Sequence, residues 1–113
     1  METIVSKISE DKRMATLFPK DKLILKRMGE QIKLAIKRRG YTQTLISDRT
    51  GLSRVTIRRI TEGSPAVSIG HYFVVLTVLN LEKDFLKIAE DDVLGRKLQD
   101  IELLKTSNSS KEK

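Results

Sequence analysis

Two short helical segments in the middle of the chain, separated by one glycine-containing turn, limit the possible folds most strongly. The first is predicted to begin with Thr42 as its N-cap and to end at Thr50, and the second to begin with Ser53 as its N-cap and to end near Glu62. Isolated helices shorter than about 12 residues are marginal in water. Both segments must therefore be held by packing on their neighbours, and they form one unit.

The turn over residues 50–53 has the residues that a helix-turn-helix requires. Gly51 can adopt the left-handed conformation, Leu52 can anchor the turn, and the Ser53 hydroxyl can cap the next helix. Ser47 is small enough for the second helix to cross the first closely. The sequence therefore predicts a helix-turn-helix whose second helix is a recognition helix.

The outward face of this recognition helix carries the residues predicted to read bases. Placing Ile57 and Ile60 inward leaves three arginines outside within two turns. Guanidinium groups bind guanine O6 and N7 bidentately, and small apolar groups contact the thymine methyl. A solvated polar face is the alternative. The predicted base-reading residues are Arg54, Val55, Thr56, Arg58 and Arg59, with Arg54 and Arg59 as the first choices.

A second set of residues is predicted to contact the DNA backbone. Polar side chains and free N–H groups at a helix start can bind phosphate, although the two hydroxyl residues can instead act only as caps. The basic residues at the end of the preceding helix can supply charge, or can be solvated at a helix end favoured by the dipole. The predicted backbone contacts are Thr42, Gln43, Ser53, Lys37, Arg38 and Arg39.

The rest of the chain also has helical periodicity, which predicts an all-α fold of five to six helices. A first helix over Asp21–Arg39 should stop at Gly40, with Met28, Ile32, Ala35 and Ile36 recurring on one face. A fourth helix should be capped by Ser68 and run to Leu79. Its predicted core stripe is Ile69, Tyr72, Phe73, Leu76 and Leu79, and further helices are predicted over 84–89 and 92–104.

The last predicted helix carries an apolar stripe of Leu94, Leu98 and Ile101 at i, i+4, i+7 spacing. Such a stripe must be covered, either by the chain's own core or by a second copy in a two-fold dimer. Residues 105–113 contain no apolar side chain. We therefore expect a flexible arm over 1–18, a domain over 19–104 that includes dimerising C-terminal helices, and a disordered tail over 105–113.

Positive charge is concentrated in one part of the chain. The net charge is +7, but residues 20–63 alone hold twelve basic and four acidic side chains. A positive block confined to one segment is typical of a surface that binds a polyanion. Double-stranded DNA is the predicted partner, with an acidic protein surface as the alternative.

Several other functions are excluded by composition. The chain has no Cys and one His, too few ligands for a zinc site, so no metal or cofactor is expected. No nucleophile or carboxylate spacing builds a catalytic triad around His71, and we expect no enzyme. The longest apolar run, near Phe73–Leu79, is far below the roughly 20 residues of a membrane helix. With no signal-type start, a cytoplasmic protein that does not bind membranes is expected.

The run Gly40–Gly63 resembles the XRE family of helix-turn-helix regulators, of the lambda and Cro repressor type, and the resemblance covers roughly Met28–Leu81. It implies a lambda repressor-like domain in which Thr42-Gln43 opens the second helix and the outward residues of the third enter the major groove. One departure is Thr61, where many members carry Glu.

Three further runs, Pro65–Gly70, Val75–Leu81 and Asp91–Arg96, resemble the HipB antitoxin subgroup. That resemblance implies a homodimeric repressor of its own operon, bound to an inverted-repeat operator and partnered with a HipA-type kinase toxin. The alternatives are a stand-alone phage-type or housekeeping XRE regulator, and an antitoxin that mainly masks a toxin by protein interaction.

Overall fold

The computed structural model describes residues 16–112, with side chains through residue 107, and this part of the chain is all-α, as predicted. Two compact units are present, the first ending at Glu82 and the second beginning at Lys83. Most of the predicted N-terminal arm lies outside the described residues. The helices are α1 Pro19–Arg38, α2 Gln43–Thr50, α3 Arg54–Thr61, α4 Ile69–Val78, a 3-10 helix Glu82–Lys87, and α5 Val93–Glu112.

The first helix begins at Pro19, two residues before the predicted start. Proline suits the first helical position because its preset φ is helical and an N–H there would have no partner within the helix. The Phe18 carbonyl accepts the first backbone hydrogen bond, from the Asp21 N–H at 2.9 Å. At the other end, Gly40 adopts φ +67°, which confirms the predicted left-handed stop.

Hydroxyl caps begin the next three helices at the predicted positions. In each case the side-chain oxygen accepts a hydrogen bond from the backbone N–H three residues later, which satisfies a donor that the helix leaves free. The pairs are Thr42 with Leu45 at 3.1 Å, Ser53 with Thr56 at 3.1 Å, and Ser68 with His71 at 3.3 Å.

The core of the first unit is aliphatic. Ile46, Ile57 and Ile60 are fully buried, as predicted for the two helices of the helix-turn-helix. α1 adds Ile32, Ala35 and Ile36, whereas Met28 from the same predicted face is half-buried. α4 completes the core with Tyr72, Val75 and Leu79.

The predicted core face of α4 is partly wrong. Ile69 is 68% exposed and Phe73 is 43% exposed, whereas Val75, which the stripe omitted, is fully buried. Nearly every residue of this helix is apolar, so periodicity alone could not select the face. The buried set is decided by the contact of α4 with α2 in the folded unit.

Tyr72 connects α4 to the loop that follows α3. Its phenol O–H donates to the Ser64 carbonyl at 2.7 Å, and burial raises the pKa of Tyr72 from 10.0 to about 12. The bond fixes the chain just after Gly63, where the backbone leaves the recognition helix.

Replacing Tyr72 with Phe should cost about 1 kcal/mol of unfolding free energy at pH 7, because the Ser64 carbonyl loses its donor. In the native protein the folded state keeps the phenol proton to higher pH than the unfolded state. Its contribution is therefore complete below pH 10 and is lost as the pH rises from 10 toward 12. Urea unfolding of wild type, Tyr72→Phe and the control Tyr41→Phe measures both effects. Equal losses of unfolding free energy between pH 10 and about pH 12 in all three proteins would contradict this account.

The second unit differs from prediction in two places. A 3-10 helix over Glu82–Lys87 replaces the α-helix expected over 84–89, and Ala89 takes a left-handed φ of +59° just after it. α5 extends to Glu112, beyond the predicted end near Leu104, because neither Gly nor Pro interrupts residues 105–112.

Candidate nucleic-acid interface

The turn between α2 and α3 is fastened by hydrogen bonds as well as by glycine. Gly51 has φ +77° and donates its N–H to the Ser47 carbonyl at 2.8 Å. The Ser47 hydroxyl donates to the Leu52 carbonyl at 2.5 Å, and the Leu52 N–H donates to the Thr50 hydroxyl at 3.2 Å. Ser47 therefore provides a hydrogen bond in addition to the small volume expected of it, and the turn fixes the angle between the helices.

The exposed face of α3 presents the predicted base-reading residues together. The opposite face is held by Ile57 and Ile60, which have no exposed surface. Thr56 is half-buried, and its hydroxyl lies 3.0 Å from the Ser53 hydroxyl, so it belongs to the helix start as well as to the boundary of the face. The exposed members are Arg54, Val55, Arg58 and Arg59.

The three arginines of this face do not have the same surroundings. Arg58 Nε lies 3.9 Å from Glu62 Oε1, one turn further along α3. An exposed pair of this length contributes little to stability, but it reduces the free positive charge at this position. Within the described residues, Arg54 and Arg59 have no ion-pair partner. Their guanidinium donors are therefore available to a ligand.

The start of α2 lies at the surface and offers polar groups. Thr42 Oγ1 accepts the Leu45 N–H, which leaves its own O–H free to donate. The half-buried Gln43 side chain has no hydrogen-bond partner within the described part of the chain. Ser53, at the start of α3, uses its oxygen for the Thr56 N–H and also contacts the Thr56 hydroxyl.

The basic end of α1 is divided between free and engaged side chains. Lys37 and Arg38 are exposed in its last turn. Arg39 Nη1 instead donates to the Ala35 carbonyl at 2.9 Å, so this guanidinium supports the helix end. Arg49, which the sequence analysis did not single out, lies over the Tyr41 ring at 5.2 Å from its centroid, a cation–π contact that joins α2 to the loop before it.

A close backbone contact that the sequence analysis missed holds α1 against the end of α3. A Cβ on Gly29 would overlap the Gly63 nitrogen and lie 2.8 Å from the Thr61 carbonyl oxygen. Thr61 is buried there, and its hydroxyl donates to the Arg58 carbonyl at 2.7 Å. A glycine inside a predicted helix was the sequence signal for such an approach.

Residues 32–86 match the family model described as helix-turn-helix. This segment is a helix-turn-helix domain. Among curated proteins and solved structures, no significant match to the chain was found. The matched segment contains residues 32–38 of α1, all of α2, α3 and α4, and the 3-10 helix up to residue 86. Residues 19–31 of α1 precede the match, and α5 follows it.

Outside the helix-turn-helix domain, the predicted dimer residues Leu94, Leu98 and Ile101 are all exposed on α5. His71 is exposed as well, in the first turn of α4. Among the described residues, no group of three or more His, Cys, Asp and Glu side chains is placed to hold a metal ion. No helix in this part of the chain combines the length and the apolar character needed to cross a membrane.

Proposed function

We propose that this protein is a sequence-specific repressor of transcription that inserts α3 into the major groove of double-stranded DNA. One observation carries the proposal: Arg54 and Arg59, both without an ion-pair partner among the described residues, project from a short helix whose other face is fully buried. The family match supports it, because helix-turn-helix domains of the XRE type are DNA-binding regulators.

The dimensions of α3 fit this role. An α-helix with its side chains is about 10–12 Å in diameter, which fits the roughly 12 Å width of the major groove. Arg54 and Arg59 are five residues apart, about 7.5 Å along the helix axis, which corresponds to roughly two base-pair steps. Val55, 46% exposed, lies beside Arg54 and can contact a thymine methyl. Arg54 and Arg59 can therefore reach over about three base pairs.

Replacing Arg54 or Arg59 with Ala should each weaken binding by about 1–3 kcal/mol and relax the preference at one base position, because a bidentate contact to guanine is lost. The probe is a duplex selected by the wild-type protein from a random-sequence library. Mobility shifts on this duplex, and on single-base variants of it, measure affinity and preference together.

Two variants serve as controls for this experiment. Arg49→Ala removes the same charge from α2, where the guanidinium stacks on Tyr41, and should leave base preference unchanged. Lys37→Ala should weaken binding to all sequences alike, because it removes a backbone contact. If Arg54→Ala and Arg59→Ala both keep wild-type affinity and preference, α3 does not read the groove.

Binding should fall steeply with salt, because residues 20–63 carry a net charge of +8. Each neutralised phosphate contributes about −0.9 to the slope of log affinity against log salt concentration. Titration of the selected duplex between 50 and 200 mM salt, followed by fluorescence anisotropy, gives the slope. A flat titration would remove the electrostatic basis of the proposal.

The proposed repressor acts as a homodimer on an inverted repeat. Exposed Leu94, Leu98 and Ile101 on α5 support a two-fold interface, since a contiguous apolar stripe is stabilised by burial against a partner. Two recognition helices set about 34–36 Å apart would then meet successive turns of the major groove. Such an arrangement requires a palindromic operator.

A narrower proposal is that the protein is a HipB-like antitoxin with a HipA-type kinase toxin as its partner. It is supported by the sequence runs Pro65–Gly70, Val75–Leu81 and Asp91–Arg96 alone. Co-elution with the product of a neighbouring kinase gene in size-exclusion chromatography would support it. A neighbourhood without such a gene would instead favour the stand-alone regulator.

A further inference from the structure

The first half of α1 lies directly against the backbone at the end of the recognition helix. A Cβ on Gly63 would overlap the Leu25 carbonyl oxygen and would lie 2.8 Å from the Lys26 Cα. Together with the contact between Gly29 and Gly63, this places residues 25–29 of α1 beside residues 61–63. The family match begins at residue 32, so this part of α1 precedes the matched segment.

The first half of α1 has free positive charge next to this contact. Lys22 and Lys26 are one helical turn apart and both are exposed. Within the described residues, no carboxylate lies within ion-pair distance of either, whereas neighbouring Arg27 lies 4.0 Å from Glu30. Helical side chains lean toward the helix N-terminus, so Lys26 extends from its position at Gly63 toward Lys22.

A recognition helix in the major groove lies between two phosphate backbones. Helices of this type contact base edges mainly with residues toward their N-terminus, so Gly63, which lies beyond Arg59 and past the end of α3, is placed toward the rim of the groove. The segment of α1 that is packed on Gly63 therefore also lies toward the rim of the groove. On the basis of the proposed DNA binding, we propose that Lys22 and Lys26 each bind a DNA phosphate at this rim, outside the base pairs that α3 contacts.

The test compares the wild-type chain with Lys22→Gln/Lys26→Gln on a fluorescein-labelled 24-base-pair duplex, selected from a random library by the wild-type protein, and on a scrambled duplex. Loss of two phosphate contacts should make the salt slope shallower by about 1.8 for each bound protomer. The affinity ratio of wild type to variant should then shrink by about 10-fold for each bound protomer between 50 and 200 mM salt. Discrimination between the two duplexes should stay the same, because a phosphate contact carries no base information.

Two further variants separate a local contact from overall charge. Lys97→Gln/Lys105→Gln removes the same charge from exposed positions on α5 and should keep the wild-type slope. Lys22→Arg/Lys26→Arg keeps the charge and should bind as the wild type does. Circular dichroism of each variant checks that the helices are intact.

The inference is overturned if Lys22→Gln/Lys26→Gln keeps the wild-type slope, or if the α5 pair reduces the slope equally. Either result leaves the proposed function standing, provided that the wild type binds the duplex and its affinity depends on salt. Failure of the wild type to bind any duplex would instead remove the proposed function itself.

Discussion

Gly63→Ala is expected to lower the free energy of unfolding by about 2–5 kcal/mol, a large part of what a small domain has. Two costs combine at this position. The φ of +71° is unfavourable for any residue with a Cβ, and the added Cβ would overlap the Leu25 carbonyl of α1. The overlapping Leu25 atoms belong to the backbone, so the overlap is relieved only if α1 moves away from α3. Thermal and urea unfolding of the full chain measure the loss.

Two other glycines separate these costs. Gly51→Ala has the same kind of strain, with φ +77°, but nothing lies within 4 Å of its Cβ, so it should cost only about 1–2 kcal/mol. Gly29→Ala is free of that strain but overlaps the Gly63 nitrogen, so it should destabilise although Ala is the better helix former. If Gly63→Ala were no more costly than Gly51→Ala, the close packing of α1 on α3 would be wrong.

Leu98→Asp is expected to convert the proposed homodimer to monomers and to weaken operator binding by about 10²–10⁴-fold. The interface would have to bury an unpaired carboxylate, which costs several kcal/mol. Each monomer would then bind one half-site, without the gain that comes from linking two sites. Sedimentation at micromolar concentration gives the oligomeric state, and mobility shifts on the selected duplex give the affinity.

The matched control for this variant is Gln99→Asp, which adds the same charge to the next, exposed residue of α5 outside the stripe. It should remain dimeric and bind as the wild type does. A wild-type monomer, or a Leu98→Asp protein that stays a folded dimer, would show that the stripe of Leu94, Leu98 and Ile101 has another purpose.

The starts and stops of the helices around the turn could be predicted because their causes are local. A hydroxyl at Thr42, Ser53 or Ser68 bonds a backbone N–H only three residues away, and Gly40 and Gly51 take left-handed conformations at the ends of their own helices. The inward face of α3 was also predictable, because Ile57 and Ile60 are its only large apolar residues besides Val55. The prediction that three arginines of α3 are exposed followed from the inward position of Ile57 and Ile60.

The candidate site was less predictable wherever a side chain had a choice of partners. Arg39 looked like a backbone contact in the sequence, yet its guanidinium hydrogen-bonds to the Ala35 carbonyl of its own helix. The sequence placed Arg58 behind Arg54 and Arg59 as a base reader, but it did not show that Glu62 lies within 4 Å of Arg58. Such differences arise from competition between nearby acceptors, which depends on the final geometry of each side chain.

The sequence by itself determined the helix-turn-helix: the caps, the left-handed turn, the three buried isoleucines and the location of positive charge. Only the tertiary structure decided which side of the nearly all-apolar α4 is buried, and that α1 meets the end of α3 through Gly29 and Gly63. The physical reason is the distance along the sequence over which each interaction acts. Capping and turn conformation are set within a few residues, whereas the choice of a buried face and a contact between residues 29 and 63 require distant segments to be packed together first.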